Sequence, residues 1–225
     1  MTAHSELTVK ALFQSPERSV AYDFLLGFEY PWQALPELRD FIVRLGKSLP
    51  PEEYECLGED VWIAKSARVA PSASISGPTV IMADAEVRHC AFIRGSVLIG
   101  RGCVVGNSTE LKNALLFDGV QVPHYNYVGD SILGYKSHMG AGAITSNVKS
   151  DKTLVSIAFG SERIETGQKK LGAILGDLVE VGCGSVLCPG SVIGAGTNIY
   201  PLTRVRGFVP EGSIMKSNTE TVKKR

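Results

Sequence analysis

Residues 63–117, IAKSARVAPSASISGPTVIMADAEVRHCAFIRGSVLIGRGCVVGNSTELKNALLF, contain the pattern that decides the fold. A large apolar residue returns at every sixth position of this stretch. These positions are Ile63, Val69, Ile75, Ile81, Val87, Ile93, Ile99, Val105, Leu111 and Phe117. A helix requires a period near 3.6 residues and a half-buried strand a period of 2, so neither structure explains the repeat.

A short strand followed by a tight turn does explain a period of six residues. The large aliphatic side chain then points inward, and the residue two positions earlier, which is small in most repeats, fits a crowded turn. Three such units make one triangular coil, and successive coils lie about 4.8 Å apart, like the strands of a parallel sheet. The sequence therefore predicts a β protein folded as a left-handed parallel β-helix of hexapeptide repeats, an exception to right-handed crossovers.

The repeat slips and is then interrupted before it resumes. After Phe117 the register shifts by about one residue and continues at Val128, Leu133 and Met139. It resumes at six-residue spacing at Leu175, Val181, Leu187, Ile193, Ile199 and Val205. Between these runs, residues 148–172 form a charged and polar excursion, and an excursion of this length from a solenoid is usually functional.

The two ends of the chain lie outside the repeat. In residues 1–55, the apolar residues Leu35, Leu38, Ile42 and Leu45 have helical spacing, with Pro36 near the start and Pro50 and Pro51 after the end. We expect these residues to form a short N-terminal helical cap or extension that shields the first coil. The β-helix is expected over residues 56–215, followed by a C-terminal tail over residues 216–225.

Composition excludes several classes of partner. The 225 residues include 23 Lys and Arg against 23 Asp and Glu, so no net positive charge attracts nucleic acid or an anionic membrane. The chain has no apolar run of about 18 residues, and its start lacks a basic stretch leading into an apolar one. Its 5 cysteines form no C-x-x-C pair. We therefore expect a cytoplasmic protein with reduced thiols that binds neither nucleic acid nor a membrane.

Residues 106–147, GNSTELKNALLFDGVQVPHYNYVGDSILGYKSHMGAGAITSN, depart from plain hexapeptides by placing polar side chains among glycines. The neutral imidazole of His124 is able to accept a proton near neutral pH. The small residues of Gly140–Gly142 allow a ligand to lie against the backbone and reach its N–H groups. On composition alone, a solvated turn histidine is the competing interpretation of His124.

This stretch resembles the acetyltransferase half of bifunctional N-acetylglucosamine-1-phosphate uridyltransferases, through GNSTELK, VPHYNYVGD and GAGAITSN. The segment TGQKKLGAILGD resembles sugar-1-phosphate nucleotidylyltransferases that carry the same second domain. The resemblance covers roughly residues 60–215 and includes no G-x-G-T-x-M nucleotide loop. It implies an acetyl-CoA-dependent acyltransferase that acetylates the amine of an amino sugar phosphate resembling glucosamine 1-phosphate, without a pyrophosphorylase domain.

The resemblance also assigns roles to individual residues. It makes His124 the general base that deprotonates the attacking amine. Arg94 and Lys112 match basic residues that hold the sugar phosphate, Tyr127 matches a tyrosine near the phosphate or acetyl group, and Asn147 matches an asparagine near the amino sugar. For Tyr127 a packing role has equal weight.

Some positions depart from the family's pattern. His138 stands where the family has a sugar-binding asparagine, and Val148 where it has a tyrosine. The substrate-binding lysine expected shortly beyond is Lys149 or Lys152, and the spacing leaves both open. These departures leave the acceptor's identity open.

The coenzyme and the assembly are also implied by the resemblance. Acetyl-CoA is the expected co-substrate, and the backbone at Ala141 matches a position that approaches it. Cys183 occupies another such position, where a small residue that fits its turn is the competing interpretation. The family places its sites between neighbouring subunits of a homotrimer, because one flat face of a β-helix offers few walls. We therefore expect a homotrimer with shared sites.

The spacing of Arg94 and Lys112 leads to a further expectation. They are 18 residues apart, which is three hexapeptides and one full coil. Their backbones should then lie about 4.8 Å apart on the same face. Two cations stacked so closely favour an anion between them, unless both extend into solvent where their repulsion is screened.

Two other classes of function remain open. A non-catalytic trimeric β-helix protein that binds a nucleotide sugar or a sugar phosphate has no need for His124 with Lys112 and Tyr127. A zinc enzyme resembling γ-carbonic anhydrases needs three histidines at one interface, and the coils contain only His89, His124 and His138. These histidines are too dispersed for a ligand pattern, so no metal is expected.

Overall fold

A computed structural model describes residues 4–224, and short strands dominate it. Its α-helices are α1 (Val9–Leu12), α2 (Tyr22–Leu25) and α3 (Leu38–Ser48), with 3₁₀ helices at Ser5–Leu7, Pro16–Arg18 and Pro31–Glu37. The first strands are β1 (Tyr54–Cys56), β2 (Val61–Ala64), β3 (Arg68–Val69), β4 (Ser74–Ile75), β5 (Thr79–Ile81), β6 (Glu86–Val87), β7 (Phe92–Ile93), β8 (Val97–Ile99) and β9 (Val104–Asn107). The next are β10 (Glu110–Leu116), β11 (Gln121–His124), β12 (Tyr127–Leu133), β13 (His138–Met139), β14 (Ile144–Thr145), β15 (Ser156–Phe159) and β16 (Glu162–Glu165). The last are β17 (Ala173–Leu175), β18 (Glu180–Val181), β19 (Val186–Leu187), β20 (Ser191–Ile193), β21 (Asn198–Ile199), β22 (Arg204–Val205), β23 (Phe208–Val209), β24 (Ser213–Met215) and β25 (Thr221–Lys223).

Strand pairing confirms the predicted β-helix. Within the coils, strands pair in parallel with the strand one coil further along the chain, so that Ile63 aligns with Ile81 and Ile81 with Ile99. This register repeats every 18 residues in the first coils. The inward residues of successive coils therefore stack into continuous buried columns, which form the core of the protein.

The register slips earlier than the sequence predicts. Leu111 aligns with Ile93, yet Leu116 aligns with Ile99, so this side of the coil is one residue shorter than the repeat. Phe117 is therefore not an inward repeat position, and that part of the prediction is wrong. Its ring instead stacks on Phe13 of the N-terminal segment, with 4.7 Å between the ring centroids.

The strands define three faces of a prism. Face 1 consists of β2, β5, β8, the C-terminal halves of β10 and β12, β17, β20 and β23. Face 2 consists of β3, β6, β9, β11, β13, β18, β21 and β24. Face 3 consists of β4, β7, the N-terminal halves of β10 and β12, β14, β19 and β22. Most outward residues on faces 2 and 3 are at least partly exposed, whereas most strands of face 1 are buried on both sides.

Face 1 is buried because its outward positions are apolar as well as its inward ones. The outward residues there include Val80, Leu98, Leu115, Ile132, Ile174 and Val192, all at most 1% exposed. An apolar face of this size has to be covered, since its exposure to water is unfavourable. The sequence contains this second apolar row beside the first, and it was the available signal for a covered face.

Of the extension expected over residues 1–55, residues 4–48 cover this face, whereas β1 pairs antiparallel with β2 at the edge of the first coil. α3 packs on β5 and β8, while near the other end the Asp177 amide donates a hydrogen bond to the Leu12 carbonyl (3.0 Å). The segment thus runs from the late coils back to the first. The inward residues Ile63, Val69 and Ile75 of the first coil are only half-buried, beside an open cavity of about 630 Å³.

The excursion and the chain end also pack onto the prism. β15 and β16 form an antiparallel hairpin, and Phe159 stacks on Phe208 of face 1 with 5.1 Å between the centroids. The Leu171 amide donates to the Asn147 carbonyl (3.0 Å), so the excursion leaves and rejoins the coil at neighbouring points. Within residues 216–225, β25 pairs antiparallel with β24 and closes the last coil.

Candidate functional site

Four residues from successive coils line up at the corner between faces 2 and 3. Hydrogen bonds run from Tyr125 N to Asn107 O (2.9 Å), Gly142 N to His124 O (3.0 Å), Gly184 N to Ala141 O (2.9 Å) and Leu202 N to Cys183 O (2.9 Å). These bonds place Asn107, His124, Ala141 and Cys183 in equivalent positions, one above another; we call this column the corner ladder. Three residues singled out in the sequence, His124, Ala141 and Cys183, are thus brought together.

The backbone turns at this corner through left-handed conformations. The φ angles of Tyr125, Gly142 and Gly184 are 51°, 69° and 66°. Glycine adopts this conformation without steric cost and adds no side chain of its own to the turn. The turn beside Ala141 is therefore bare backbone that a ligand is able to approach, whereas the exposed Leu202 side chain lies against Gly184 beside Cys183.

Asn126 anchors the backbone at His124, and the sequence analysis missed it. Its Nδ2 donates to the carbonyls of Gly140 and Ala143, both at 2.9 Å, and its Oδ1 accepts from the His124 amide at 3.1 Å. The side chain is buried, with 2% of the residue exposed. A lone amide at an inward corner position, between apolar repeat residues, was the available signal.

His124 itself faces solvent at the end of β11. Its imidazole has no hydrogen-bond partner within residues 4–224, so both ring nitrogens are available to a ligand. Beside it, Tyr125 is 61% exposed, and its hydroxyl accepts a hydrogen bond from Asn107 Nδ2 (3.1 Å).

A polar cluster lies next to this corner on face 3; we call it the face 3 cluster. Its members are Arg94, Glu110, Lys112, Tyr127, Asp130 and Asn147. Arg94 Nη1 lies 2.7 Å from Glu110 Oε1. Asp130 accepts from Lys112 Nζ at 3.1 and 3.2 Å, and Asn147 Nδ2 contacts both Asp130 and the Tyr127 hydroxyl.

Asp130 is the centre of the cluster, although the sequence analysis did not single it out. It also accepts a hydrogen bond from Asn113 Nδ2 at 2.9 Å, and its side chain is only 5% exposed. A buried carboxylate needs such partners because removing a charge from water is costly. Glu110 was missed in the same way, although both residues lie in the quoted motifs.

Tyr127 is held in the cluster with its hydroxyl protonated. Burial raises the pKa of its phenol above the ordinary value, and the carboxylates of Asp130 and Glu110 raise the pKa further. The ring lies over Gly129, where any Cβ atom would collide with the hydroxyl end of Tyr127. Glycine at this position therefore makes room for the tyrosine.

The expected arrangement of Arg94 and Lys112 needs one correction. They do lie in adjacent coils of face 3, since Leu111 aligns with Ile93. Each cation, however, has its own carboxylate, Glu110 for Arg94 and Asp130 for Lys112. An anion between the two cations is therefore not needed to relieve their repulsion.

Two predicted substrate residues lie outside the ladder and the face 3 cluster. His138 is on face 2, with Nδ1 2.8 Å from Glu180 Oε2. Lys152 is exposed in a turn of the excursion, where its amide donates to the Lys149 carbonyl at 3.1 Å. Within residues 4–224 the ammonium of Lys152 makes no hydrogen bond or ion pair with the corner ladder or with the face 3 cluster.

The histidines do not converge on one point. His89 and His124 occupy the same corner two coils apart, and His138 is on face 2. Across the described residues, no group of three His, Cys, Asp or Glu side chains is arranged to hold a metal ion. In the same part of the chain, no helix is long and apolar enough to cross a membrane.

Comparison with known proteins places the chain in a family. Residues 75–209 match the sequence profile of the GMPPB C-terminal domain family, which is more than half of the chain. The chain belongs to this family. Its match begins at β4 and ends at β23, so the family domain coincides with most of the β-helix.

The curated relatives that this family member matches are longer chains. The bifunctional sugar-1-phosphate nucleotidylyltransferase/acetyltransferase of Sulfurisphaera tokodaii is 32% identical over 174 residues, covering 69% of this chain and 43% of the relative. A bifunctional protein GlmU of Methanococcus maripaludis is 30% identical over 172 residues, covering 76% and 42%. The chain spans less than half the length of these relatives, which confirm the resemblance drawn from the motifs.

Solved structures with similar chains include the acetyltransferase domain of PglB from Neisseria gonorrhoeae in complex with acetyl coenzyme A. It is 19% identical, with 80% of this chain and 76% of that chain covered and a TM-score of 0.34. A point mutant of AntD, an N-acyltransferase from Bacillus cereus, in complex with dTDP-4-amino-4,6-dideoxyglucose and coenzyme A, is 18% identical, with 74% and 81% covered and a TM-score of 0.40. The β-helix of the present chain is defined by its own strand pairing.

Proposed function

We propose that this protein is an acetyl-CoA-dependent acyltransferase that acetylates the amine of an amino sugar phosphate resembling glucosamine 1-phosphate. The observation that carries the proposal is the corner ladder, which aligns an exposed histidine with bare backbone and lies beside a polar cluster. A coenzyme along the ladder and an acceptor on face 3 would meet at His124. The names of the curated relatives support the same class of activity.

The coenzyme binds along the corner in this proposal. Ala141 and Cys183 follow His124 in the ladder, and Gly142 leaves the turn beside Ala141 without a side chain. The amide-rich arm of acetyl-CoA is suited to such a surface because it pairs with backbone N–H and C=O groups. Its thioester then lies at the His124 end of the arm.

His124 acts as the general base. As the amine nitrogen attacks the thioester carbonyl, the imidazole accepts the proton that the nitrogen loses. A carbon–nitrogen bond forms, the carbon–sulfur bond breaks, and the proton passes from the imidazolium to the departing thiolate. The anchored backbone at Asn126 holds His124 in place during these steps, which is the positioning that catalysis by proton transfer requires.

The face 3 cluster receives the acceptor. Tyr127 and Asn147 present polar atoms to the sugar, and Arg94 and Lys112 contact its phosphate. The Arg94 side chain is 45% exposed, whereas that of Lys112 is 26% exposed and bound to a buried carboxylate. Arg94 is thus the cation that can exchange Glu110 for a phosphate. His138 and Lys152 belong to the acceptor site only through a neighbouring subunit.

The assembly in this proposal is a homotrimer. His124 and the face 3 cluster lie on an open surface, so a second subunit is needed to enclose the substrates. Residues 4–48 already cover face 1, which leaves faces 2 and 3 for association. Sedimentation equilibrium at micromolar concentration should give three times the 24.1 kDa chain mass. A monomer would contradict both the trimer and the shared site.

The decisive experiment measures release of the CoA thiol. Purified protein is mixed with acetyl-CoA and a panel of amino sugars, with and without a 1-phosphate, and the free thiol is titrated with a chromogenic disulfide. We expect thiol release that depends on the amino sugar and gives an N-acetylated product by mass spectrometry. A protein that binds the sugar phosphate without releasing thiol would instead be a non-catalytic β-helix binding protein.

A further inference from the structure

Tyr125 occupies the turn position of the corner between faces 2 and 3. Its φ angle is 51°, and this left-handed conformation recurs at the equivalent position of other coils, as at Cys90 and Leu202, so the fold of the corner sets the backbone of Tyr125. The ring is 61% exposed, so burial of apolar surface does not hold it there.

A short hydrogen-bond chain fixes the ring. The Tyr125 hydroxyl accepts from Asn107 Nδ2 at 3.1 Å, and the Asn107 Oδ1 accepts from the Ser108 hydroxyl at 2.9 Å. Both ends of the Asn107 amide are therefore occupied. The aromatic ring is held as a fixed wall at the corner, although it is exposed.

The position of this wall follows from the order of the corner ladder. Asn107 aligns with His124 in the preceding coil, whereas Ala141 and Cys183 lie in the following coils. Because its hydroxyl is bonded to Asn107, the Tyr125 ring extends toward the preceding coil. The ring therefore lies on the side of His124 opposite to Ala141 and Cys183.

The order of residues in the corner ladder determines the direction of the acyl group. A coenzyme arm that arrives along Cys183 and Ala141 presents its thioester at His124. Its acyl chain then continues in the same direction, toward Asn107. We propose that Tyr125, held by Asn107, closes the corner beyond His124 and limits the acyl group to acetyl. The inference rests on the proposed function.

The discrimination between acyl groups that such a wall gives has a typical size in fitted pockets. One methylene group too many in a fitted pocket changes kcat/KM by roughly 10- to 200-fold. Butyryl-CoA extends two methylene groups beyond acetyl-CoA. We therefore expect butyryl-CoA to be discriminated against by at least about tenfold, and the discrimination to be lost when the ring is removed.

The test compares acetyl-CoA with butyryl-CoA in four proteins: the wild type, Tyr125→Ala, Asn107→Ala and the control Leu178→Ala. Leu178 is a matched control because it is 53% exposed, has a left-handed φ of 59° and lies at a different corner. Calorimetry gives the two dissociation constants without an acceptor, and thiol release with glucosamine 1-phosphate gives the two kcat/KM values.

We expect the ratio of butyryl to acetyl kcat/KM to rise at least about tenfold in Tyr125→Ala, and to rise less in Asn107→Ala, where the ring remains but is no longer bonded. Leu178→Ala should keep the wild-type ratio. The affinity for butyryl-CoA relative to acetyl-CoA, taken from the two dissociation constants, should rise in the same variants.

Two results distinguish the failure of this inference from that of the proposed function. If acetyl transfer occurs but the wild type uses butyryl-CoA as readily, or Tyr125→Ala keeps the wild-type ratio within twofold, Tyr125 does not limit the acyl group. If the wild type neither binds acetyl-CoA nor releases its thiol, the proposed function fails and the inference fails with it.

Discussion

The Lys112 ammonium lies 3.1 and 3.2 Å from the two carboxylate oxygens of Asp130, and the Asp130 side chain is only 5% exposed. Asn113 and Asn147 donate to the same carboxylate. One buried anion thus orients three side chains that come from two separate parts of the sequence. Two of them, Lys112 and Asn147, are proposed acceptor residues.

Replacement of Asp130 should therefore damage both stability and acceptor binding. We expect Asp130→Ala to lower the free energy of unfolding by about 3–5 kcal/mol, because it leaves a partly buried ammonium without its partner. Urea unfolding followed by circular dichroism measures this loss. In the folded fraction, KM for the acceptor should rise more than KM for acetyl-CoA.

A double variant separates the contribution of the Lys112–Asp130 ion pair to stability from that of the packing around it. Asp130→Asn with Lys112→Met removes both charges while keeping similar side-chain volumes. We expect it to be more stable than Asp130→Asn alone, since no unpaired charge remains. Equal stability of the two proteins would show that the ion pair does not couple these residues.

Removal of His124 tests the proposed base. We expect His124→Ala to reduce acetyl transfer by roughly 10²- to 10⁴-fold at saturating acceptor, the range for loss of a general base. The fold should persist, because the imidazole is exposed and makes no hydrogen bond or ion pair with another described residue. His89→Ala is the matched control, an exposed histidine at the same corner two coils earlier, and should retain activity. Activity of His124→Ala within threefold of wild type would exclude it as the base.

Replacement of Arg94 tests the proposed contact with the phosphate. Arg94→Ala should raise KM for a phosphorylated amino sugar strongly and leave KM for acetyl-CoA nearly unchanged, because the side chain faces the acceptor in our proposal. Arg88→Ala is the control, since Arg88 also pairs with a glutamate, Glu86, at 3.0 Å but lies after β6 of face 2. Equal effects on the two KM values, or preference for an unphosphorylated amino sugar, would remove the phosphate site.

Asp177 joins the N-terminal segment to the β-helix. Its carboxylate accepts hydrogen bonds from the amides of Gln14 (2.9 Å), Ser15 (3.0 Å) and Tyr135 (2.9 Å). An amide at this position cannot accept all three, so Asp177→Asn should lower the free energy of unfolding at neutral pH by about 1–3 kcal/mol. Urea unfolding measures the difference, and the exposed Asp151→Asn serves as the control.

The difference in the free energy of unfolding between the wild type and Asp177→Asn should also depend on pH. Burial raises the pKa of the Asp177 carboxyl in the native state, against the opposing effect of its amide donors. The native state then binds more protons than the unfolded state between the ordinary pKa and the raised one. The wild type should therefore gain stability relative to Asp177→Asn as the pH falls through that window. A difference that shrinks on acidification would contradict the raised pKa.

The hexapeptide pattern by itself determined the β-helix. Ile63, Ile81 and Ile99 are 18 residues apart and stack in successive coils, because a large residue every six positions has no other regular way to reach a common core. The helix over Leu38–Ser48 was also predictable, since its apolar spacing and the following prolines are local signals. The prediction placed Phe117 wrongly because Leu116 is the residue that aligns with Ile99, and local spacing does not reveal this alignment.

The candidate site was predictable only in part, and the tertiary structure decided the rest. The motifs pointed to His124, Tyr127 and Asn147. That Asp130 accepts hydrogen bonds from Lys112 and Asn147 follows only from knowing which coils touch. The alignment of Cys183 with His124 likewise depends on where the excursion rejoins the coil, because 42 residues separate Ala141 from Cys183. A repeat fixes which side chains point inward through short-range geometry. Which outward side chains meet, and which face the N-terminal segment covers, depends on contacts between residues far apart in the chain.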